Sequence, residues 1–247
     1  MRNFVLALVI LAVGAVSAWA SGTPSPNLDE PTAFPLTTGT YWLYRGPVQW
    51  QPASPPDSES VEKVLSCKME VTETIQRGHV LGAVVKGHPM DLAWYEEGKA
   101  PGDYLIVRVS EHQFYLLTGQ RMQDALVKLR DKDDDLIDLV RDDELFLDLP
   151  LSEGKVFGEA FQITRQDGSY YWIVEGEAHV RVADVKGVPA GTTATEYQLA
   201  FLARTDSQRV GYVPGIGFTR YAYVHHGSVA ETDLKLIEYH PGGGAQP

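Results

Sequence analysis

The hydrophobic positions of this chain fall mostly into short alternating runs. Residues 39–51 carry Tyr41, Trp42, Tyr44, Val48 and Trp50, and residues 61–76 carry Val64, Met69, Val71 and Ile75. Alternation built from β-branched and aromatic side chains is the signature of strands with one buried face. Similar runs predict strands over 80–85, 104–109, 113–117, 177–185 and 193–202, the last two joined by Gly187-Val-Pro-Ala-Gly191. A closing hairpin is expected over 218–224 and 229–239, turning at His225-His226-Gly227-Ser228. The most clearly marked hairpin covers 161–174, where Asp167-Gly168 would supply the two positive-φ positions of a type I′ turn.

One segment breaks the pattern. Between Gln120 and Glu144, the residues Met122, Leu126, Leu129, Leu136 or Ile137, and Val140 recur at helical spacing, which predicts one sizeable helix. A strand over 125–129 is the competing reading. Roughly ten to twelve sequential strands with one helix define a mainly β fold, an antiparallel meander or half-barrel sheet rather than βαβ units.

The punctuation sets the limits of this domain. Arg2, an apolar run over 4–16 and Ala18-Trp19-Ala20 have the form of a signal peptide cut after Ala20. That apolar run is short for a span of a ~30 Å hydrocarbon core, so no stable membrane span is expected once it is removed. Four prolines make residues 21–35 a flexible linker, residues 36–239 the single β-rich domain, and residues 240–247, His-Pro-Gly-Gly-Gly-Ala-Gln-Pro, a disordered tail. A second proline-rich stretch, 51–60, reads as a surface loop. An internal repeat is also visible: Pro35-Leu36-x-x-Gly39-x-x-Trp42 recurs as Pro150-Leu151-x-x-Gly154-x-x-Phe157.

Composition narrows the function classes. The 247 residues are 44% hydrophobic, which excludes a disordered chain, and carry 21 basic against 33 acidic groups. Loss of the leader removes only Arg2, leaving 20 basic groups and a net charge of −13, which argues against nucleic acid as a partner. The single cysteine, Cys67, can form no internal disulfide and reads as a small core residue. Beyond the leader the only asparagine is Asn27, so no N-x-Ser/Thr acceptor exists there, and a bacterial periplasmic or extracellular location fits best.

Signatures of chemistry are sparse. G-x-S-x-G, H-E-x-x-H, Walker A, S-x-x-K and C-x-x-C patterns are all absent, and Gly215-Ile-Gly217 reads as a turn. His225-His226 could chelate a metal with His240 or Glu231, but adjacent strand residues point to opposite faces. The run Asp131-Lys-Asp133-Asp134-Asp135 suggests calcium, yet Leu136 and Asp142 stand where an EF-hand loop needs glycine and glutamate. The expectation is therefore no catalytic, cofactor or metal residues. Tyr41, Trp42, Tyr44, Trp50, Trp94, Tyr170, Tyr171 and Trp172 could form a sugar or lipid platform, although core packing is their commoner use.

Taken together, the Pro35-Leu-x-x-Gly39-x-x-Trp42-x-Tyr44 start, Pro150-Leu-x-x-Gly154, Val188-Pro-Ala-Gly191-Thr, Tyr212-Val-Pro214-Gly-Ile-Gly217-Phe218 and a tyrosine-rich closing hairpin resemble uncharacterised bacterial secreted and lipoprotein families known mainly as domains of unknown function. The resemblance implies an antiparallel β structure in the cell envelope and no established catalytic residues. Phe157 in place of tryptophan, Thr219-Arg220 after the glycine turn and the lack of a lipobox cysteine depart from it. The resulting expectation is an exported noncatalytic β domain whose partner is an apolar ligand or a cell-envelope component. The alternatives are a carboxylate-pair hydrolase and a module that pairs through an edge strand.

Overall fold

The computed structural model describes residues 34–52, 59–90, 100–225 and 230–243. The expected leader, most of the linker, Trp94 and His226 lie outside the described residues. Twelve strands form one sheet: β1 (Tyr41–Trp50), β2 (Val61–Arg77), β3 (Val80–Lys86), β4 (Asp103–Arg108), β5 (Gln113–Leu117), β6 (Leu145–Asp148), β7 (Val156–Phe157), β8 (Trp172–Arg181), β9 (Thr193–Leu202), β10 (Asp206–Val213), β11 (Gly217–His225) and β12 (Ala230–His240). Helix α1 (Gly119–Arg130) and the single-turn α2 (Ala160–Ile163) complete the secondary elements, with one 3-10 turn at Asp142–Glu144.

The order across the sheet is β6-β5-β4-β3-β2-β1-β12-β11-β10-β9-β8-β7, with every neighbouring pair antiparallel. Two six-stranded meanders are thus joined in the middle by β1 and β12, and the two edges, β6 and β7, touch. The sheet therefore curls into a nearly closed barrel, as the sequence pattern predicted for the class.

Alternation decides what the barrel encloses. Trp42, Tyr44, Val48 and Trp50 of β1 are buried while Arg45 and Pro47 between them are exposed. Phe34, just ahead of the first strand, packs its ring against Phe218 at 4.9 Å, Trp42 at 5.4 Å and Phe146 at 6.0 Å. Two polar handles in this apolar interior are satisfied by backbone: the Trp42 indole N–H donates to the Ile216 carbonyl at 2.5 Å and the Tyr44 hydroxyl to that of Phe218 at 3.1 Å. Such pairing is needed because a buried donor without an acceptor costs on the order of 1–3 kcal/mol.

Both copies of the P-L-x-x-G repeat make the same turn. Gly39 N–H donates to Val71 O and Gly154 N–H to Val174 O, each at 2.9 Å. Thr40 N–H meets Thr37 O at 2.9 Å as Lys155 N–H meets Ser152 O at 3.0 Å, and Val71 and Val174 each donate back, to Thr40 O and Lys155 O. The two glycines have φ of 87° and 80°, a region that a side chain disfavours. Each turn leads into the first strand of its meander, and the motif's aromatic, Trp42 or Phe157, is buried. The repeat is therefore a shared starting device of two like halves.

Three sequence expectations are corrected here. The helix predicted over 120–144 stops at Arg130. Beyond it, Asp131, Asp134 and Asp135 each accept the N–H two residues on, giving successive Asx turns, and Leu136 and Asp138 take φ of 62° and 56°. Aspartates that capture nearby amides compete with the helix. Arg77 fixes the stop from the end of β2, its guanidinium donating to the carbonyls of Leu129 at 3.3 Å, Lys132 at 3.1 Å and Asp134 at 2.8 Å, and to that of Asp131. The helix packs on the outer side of the sheet, Leu129 filling the space that Gly82 leaves beside Leu105.

The hairpin predicted over 161–174 is not formed. Residues 160–163 are helical, Phe161 is exposed, and the positive φ values fall on Gly168 and Tyr170 rather than on Asp167 and Gly168. Asp167 is spent on its neighbours, accepting from the Arg165 guanidinium and from the Ser169 N–H and hydroxyl. Strand β8 accordingly starts at Trp172 and ends at Arg181, earlier than predicted. Finally, β6, β7 and β10 were not expected: the first two are short, and the polar opening of β10, Asp206-Ser-Gln-Arg, reads as a loop.

One buried hydroxyl stands apart. Tyr212 is fully buried beside Phe34, and its hydroxyl has no hydrogen-bond partner among the described residues. Tyr212→Phe is therefore expected to raise the urea-unfolding free energy by about 1 kcal/mol, whereas Tyr44→Phe, which removes a satisfied hydroxyl, should lower it by about 1 kcal/mol. Equal losses for the two would refute the distinction.

Candidate binding site in the barrel interior

The second meander lays its inward side chains in rows. Val174, Leu199, Val210, Tyr221 and Leu234 face one another across β8 to β12, all buried. Two residues along each strand, Trp172, Phe201, Gln208 and Tyr223 form the next row, each half-buried. Beyond these, Asp206 pairs with His225. Apolar floor thus passes through an aromatic row to a polar rim, because inward positions two apart share a face while their chemistry changes along the strand.

Between this wall and the first meander lies a cavity of about 160 Å³. Trp172, Phe201, Gln208, Val210, Phe218 and Tyr221 of the second meander line it, together with His88, Met90, Leu116, Leu145 and Phe146 of the first half of the chain. Asp143 and Glu144, from the 3-10 turn, line it as well. Hollows of about 430 and 360 Å³ exist elsewhere, but they are lined by outward-facing groups such as the Arg220–Asp233 ion pair and by no aromatic ring. The interior cavity is the one that offers an apolar ligand a matching surface.

Each polar group near it has a definite task. The Met90 N–H donates to His88 Nδ1 at 3.1 Å, which fixes the ring's orientation at the cavity. Glu144 accepts a two-pronged ion pair from Arg121, at 2.8 and 3.1 Å, and the Arg141 N–H at 3.0 Å, tying the 3-10 turn to α1. At the rim, Asp206 accepts from Tyr223 Oη at 2.9 Å and from Thr205 at 3.2 Å, and is bonded to His225 Nδ1. Burial pushes the Asp206 carboxyl up, but the hydrogen bonds from His225 and Tyr223 outweigh it and hold the group below its ordinary value.

The residues weighed from sequence are dispersed. His225 is engaged with Asp206; Glu231 faces outward, and His240 stacks on Tyr41 at 5.1 Å at the opposite end of β12. The three do not converge. Cys67 is buried beside Tyr44 in the core. The side chains of Asp131, Asp134 and Asp135 serve the Asx turns. Of the aromatics proposed as a platform, Trp42 and Tyr44 are core, Tyr41 faces Lys68 at 4.6 Å, Tyr170 faces Arg165 at 4.9 Å, and among the described ones Trp172 alone lines the cavity. Sequence reasoning missed Phe146, Phe201, Phe218, Tyr221 and His88 as a group. The signal that existed was alternation, which marks Phe201 with Leu199 and Tyr221 with Tyr223 as sharing a face.

No protein-family model matches this chain, and no curated protein matches it in sequence. Among solved structures it is similar to a protein inferred to be exported, of YmcC-like fold, from Bacteroides fragilis NCTC 9343, with a TM-score of 0.40 and 11% identity over 84% of this chain and 98% of that one. It is also similar to a protein inferred to be a lipoprotein from Parabacteroides distasonis ATCC 8503, with a TM-score of 0.34 and 12% identity over 84% and 97% of the two chains. MucB gives a TM-score of 0.28 and 9% identity over 86% of this chain and 56% of its own. Resemblance at this level defines neither family nor ligand. Among the described residues no helix is long and apolar enough to cross a membrane.

The tyrosines around the interior make the fold sensitive to alkali. Burial raises the hydroxyls of Tyr44 and Tyr212 well above their ordinary value and Tyr239 to about 12; burial and the Asp206 hydrogen bond bring Tyr223 to about 12. Raised values favour the neutral form in the folded state, so their contribution is complete below the ordinary tyrosine pKa of about 10 and is lost as pH climbs through the folded values. Phenolate absorbance should show these tyrosines ionising well above the ordinary value, together with loss of the near-ultraviolet dichroism. A single normal class for all 12 tyrosines would contradict this.

Proposed function

We propose that this chain is an exported, noncatalytic β domain whose interior cleft binds an apolar group. One observation carries the reading: the core is closed everywhere along the deep row, yet between Trp172–Phe201 and Phe146–Phe218 it leaves about 160 Å³ lined mainly by rings and aliphatic side chains. An apolar cavity of about 150 Å³ is large enough to hold benzene. The space therefore suits one ring or a short branched alkyl group, while the rest of a larger ligand would remain at the Asp206–His225 rim.

The alternatives have less support. An edge-strand module needs an open template, but the edges β6 and β7 span 145–148 and 156–157 and lie against each other. For a carboxylate pair, the adjacent acids at the cavity are Asp143 and Glu144, and both oxygens of Glu144 are held by Arg121.

Benzene at ten times its dissociation constant should stabilise the protein by about 1.4 kcal/mol, which for a chain of this size raises the melting temperature by roughly 3–6 °C. Val210→Phe, which fills the cavity, should abolish the shift. If small apolar solutes never shift the melting temperature, the ligand reading falls.

Export rests on the sequence pattern of residues 1–20. Protein recovered from the periplasm or medium of an expressing bacterium should begin at Ser21 by N-terminal sequencing; retention of Met1 would refute cleavage after Ala20.

A further inference from the structure

We propose that the cleft takes a quaternary ammonium cation, an inference that rests on the apolar-ligand reading above and narrows it. The first support is the arrangement of rings. Trp172 and Phe201 lie 5.3 Å apart, and Phe218 contacts Phe146 at 5.8 Å and His88 at 5.9 Å. Among the described residues neither Trp172 nor Phe201 makes a ring contact with Phe146, Phe218 or His88, and all five line the cavity. Rings that line a small, partly enclosed space attract a cation through their quadrupoles. A methylated ammonium suits such a space because it offers no N–H groups that would need acceptors. Its bulk also fits about 160 Å³, since a trimethylammonium group is comparable to a single benzene ring.

The second support is charge. Asp143 and Glu144 line the cavity, and neither lysine nor arginine is among the lining residues. Arg121 compensates Glu144, while Asp143 is exposed and makes no ion pair among the described residues. These three groups sum to a net negative charge at the mouth. His88 and Tyr221 line the cavity as well, and His88 Nδ1 accepts the Met90 N–H. A carboxylate or phosphate ligand would meet repulsion here, and a cation would not. The same acids disfavour the phosphate beside the choline head of a lipid, so the ligand is assigned as a free organic cation.

Calorimetric titration of the full chain with choline chloride, and separately with 3,3-dimethylbutan-1-ol, in which carbon replaces the charged nitrogen, tests this. Choline is expected to bind about tenfold more tightly than its neutral isostere. Asp143→Asn, a change at an exposed position, should weaken choline about threefold and leave the isostere unaffected. Equal binding of the two solutes, or an unchanged choline affinity in Asp143→Asn, would overturn the proposal while the apolar-ligand reading stood. Binding of neither would overturn both. Co-flotation with phosphatidylcholine vesicles without binding of free choline would overturn the assignment to a free solute.

Discussion

The pairing of β1 with β12 is the constraint on which the rest of the molecule depends. It joins Tyr41 to His240 and Trp50 to Ala230, the first strand to the last, across nearly the whole described chain. Each meander is local in sequence and can form on its own short-range contacts, but neither encloses anything alone. Only when β1 and β12 share a ladder do Trp42 and Tyr44 reach the carbonyls of Ile216 and Phe218 and complete the interior. The loop-closure entropy of so distant a pairing is paid once, and burial of the aromatic cluster around Phe34 offsets it.

Much of this was legible in the sequence because alternation is a local property. Strands such as 113–117 and 193–202 stand where their hydrophobic period places them. Legibility failed where a distant or polar group decides the backbone. Nothing near Arg130 announces that Arg77, far away in sequence, will gather the carbonyls that end the helix, and Asp167 was read as a turn residue when its side chain holds Arg165 and Ser169. The cavity was harder still. Its walls come from inward rows whose register across β8 to β11 no single strand reveals, together with His88 and Phe146 from segments that lack alternation. Its position follows from pairing, and pairing is not written in any one segment.

The acidic segment after α1 gains a structural meaning from the same contacts. Its first acids turn the chain back through Asx bonds, and its last, Glu144, is clamped to Arg121 of the helix. The loop is thereby shaped to deliver the 3-10 turn to the edge of the cleft. Charge that in bulk serves solubility is in this place fixed against an aromatic wall.

The duplicated turn and the strand order bear together on how the barrel came to have its ends where they are. Reading the sheet from β7 through β12 and on from β1 through β6 gives an unbroken up-and-down meander. The chain thus follows the simplest closed order, its strands running in sequence round the ring: the first and last meet in the β1–β12 ladder, where hydrogen bonds hold the halves, and residues 149–155 link β6 to β7, between which no ladder forms among the described residues. Gly242 N–H donates to the Thr40 hydroxyl at 2.8 Å, so the beginning and end of the domain adjoin. Two like halves placed head to tail need no other arrangement: wherever such a ring is opened, the junction that loses its peptide link must be one that backbone pairing can hold.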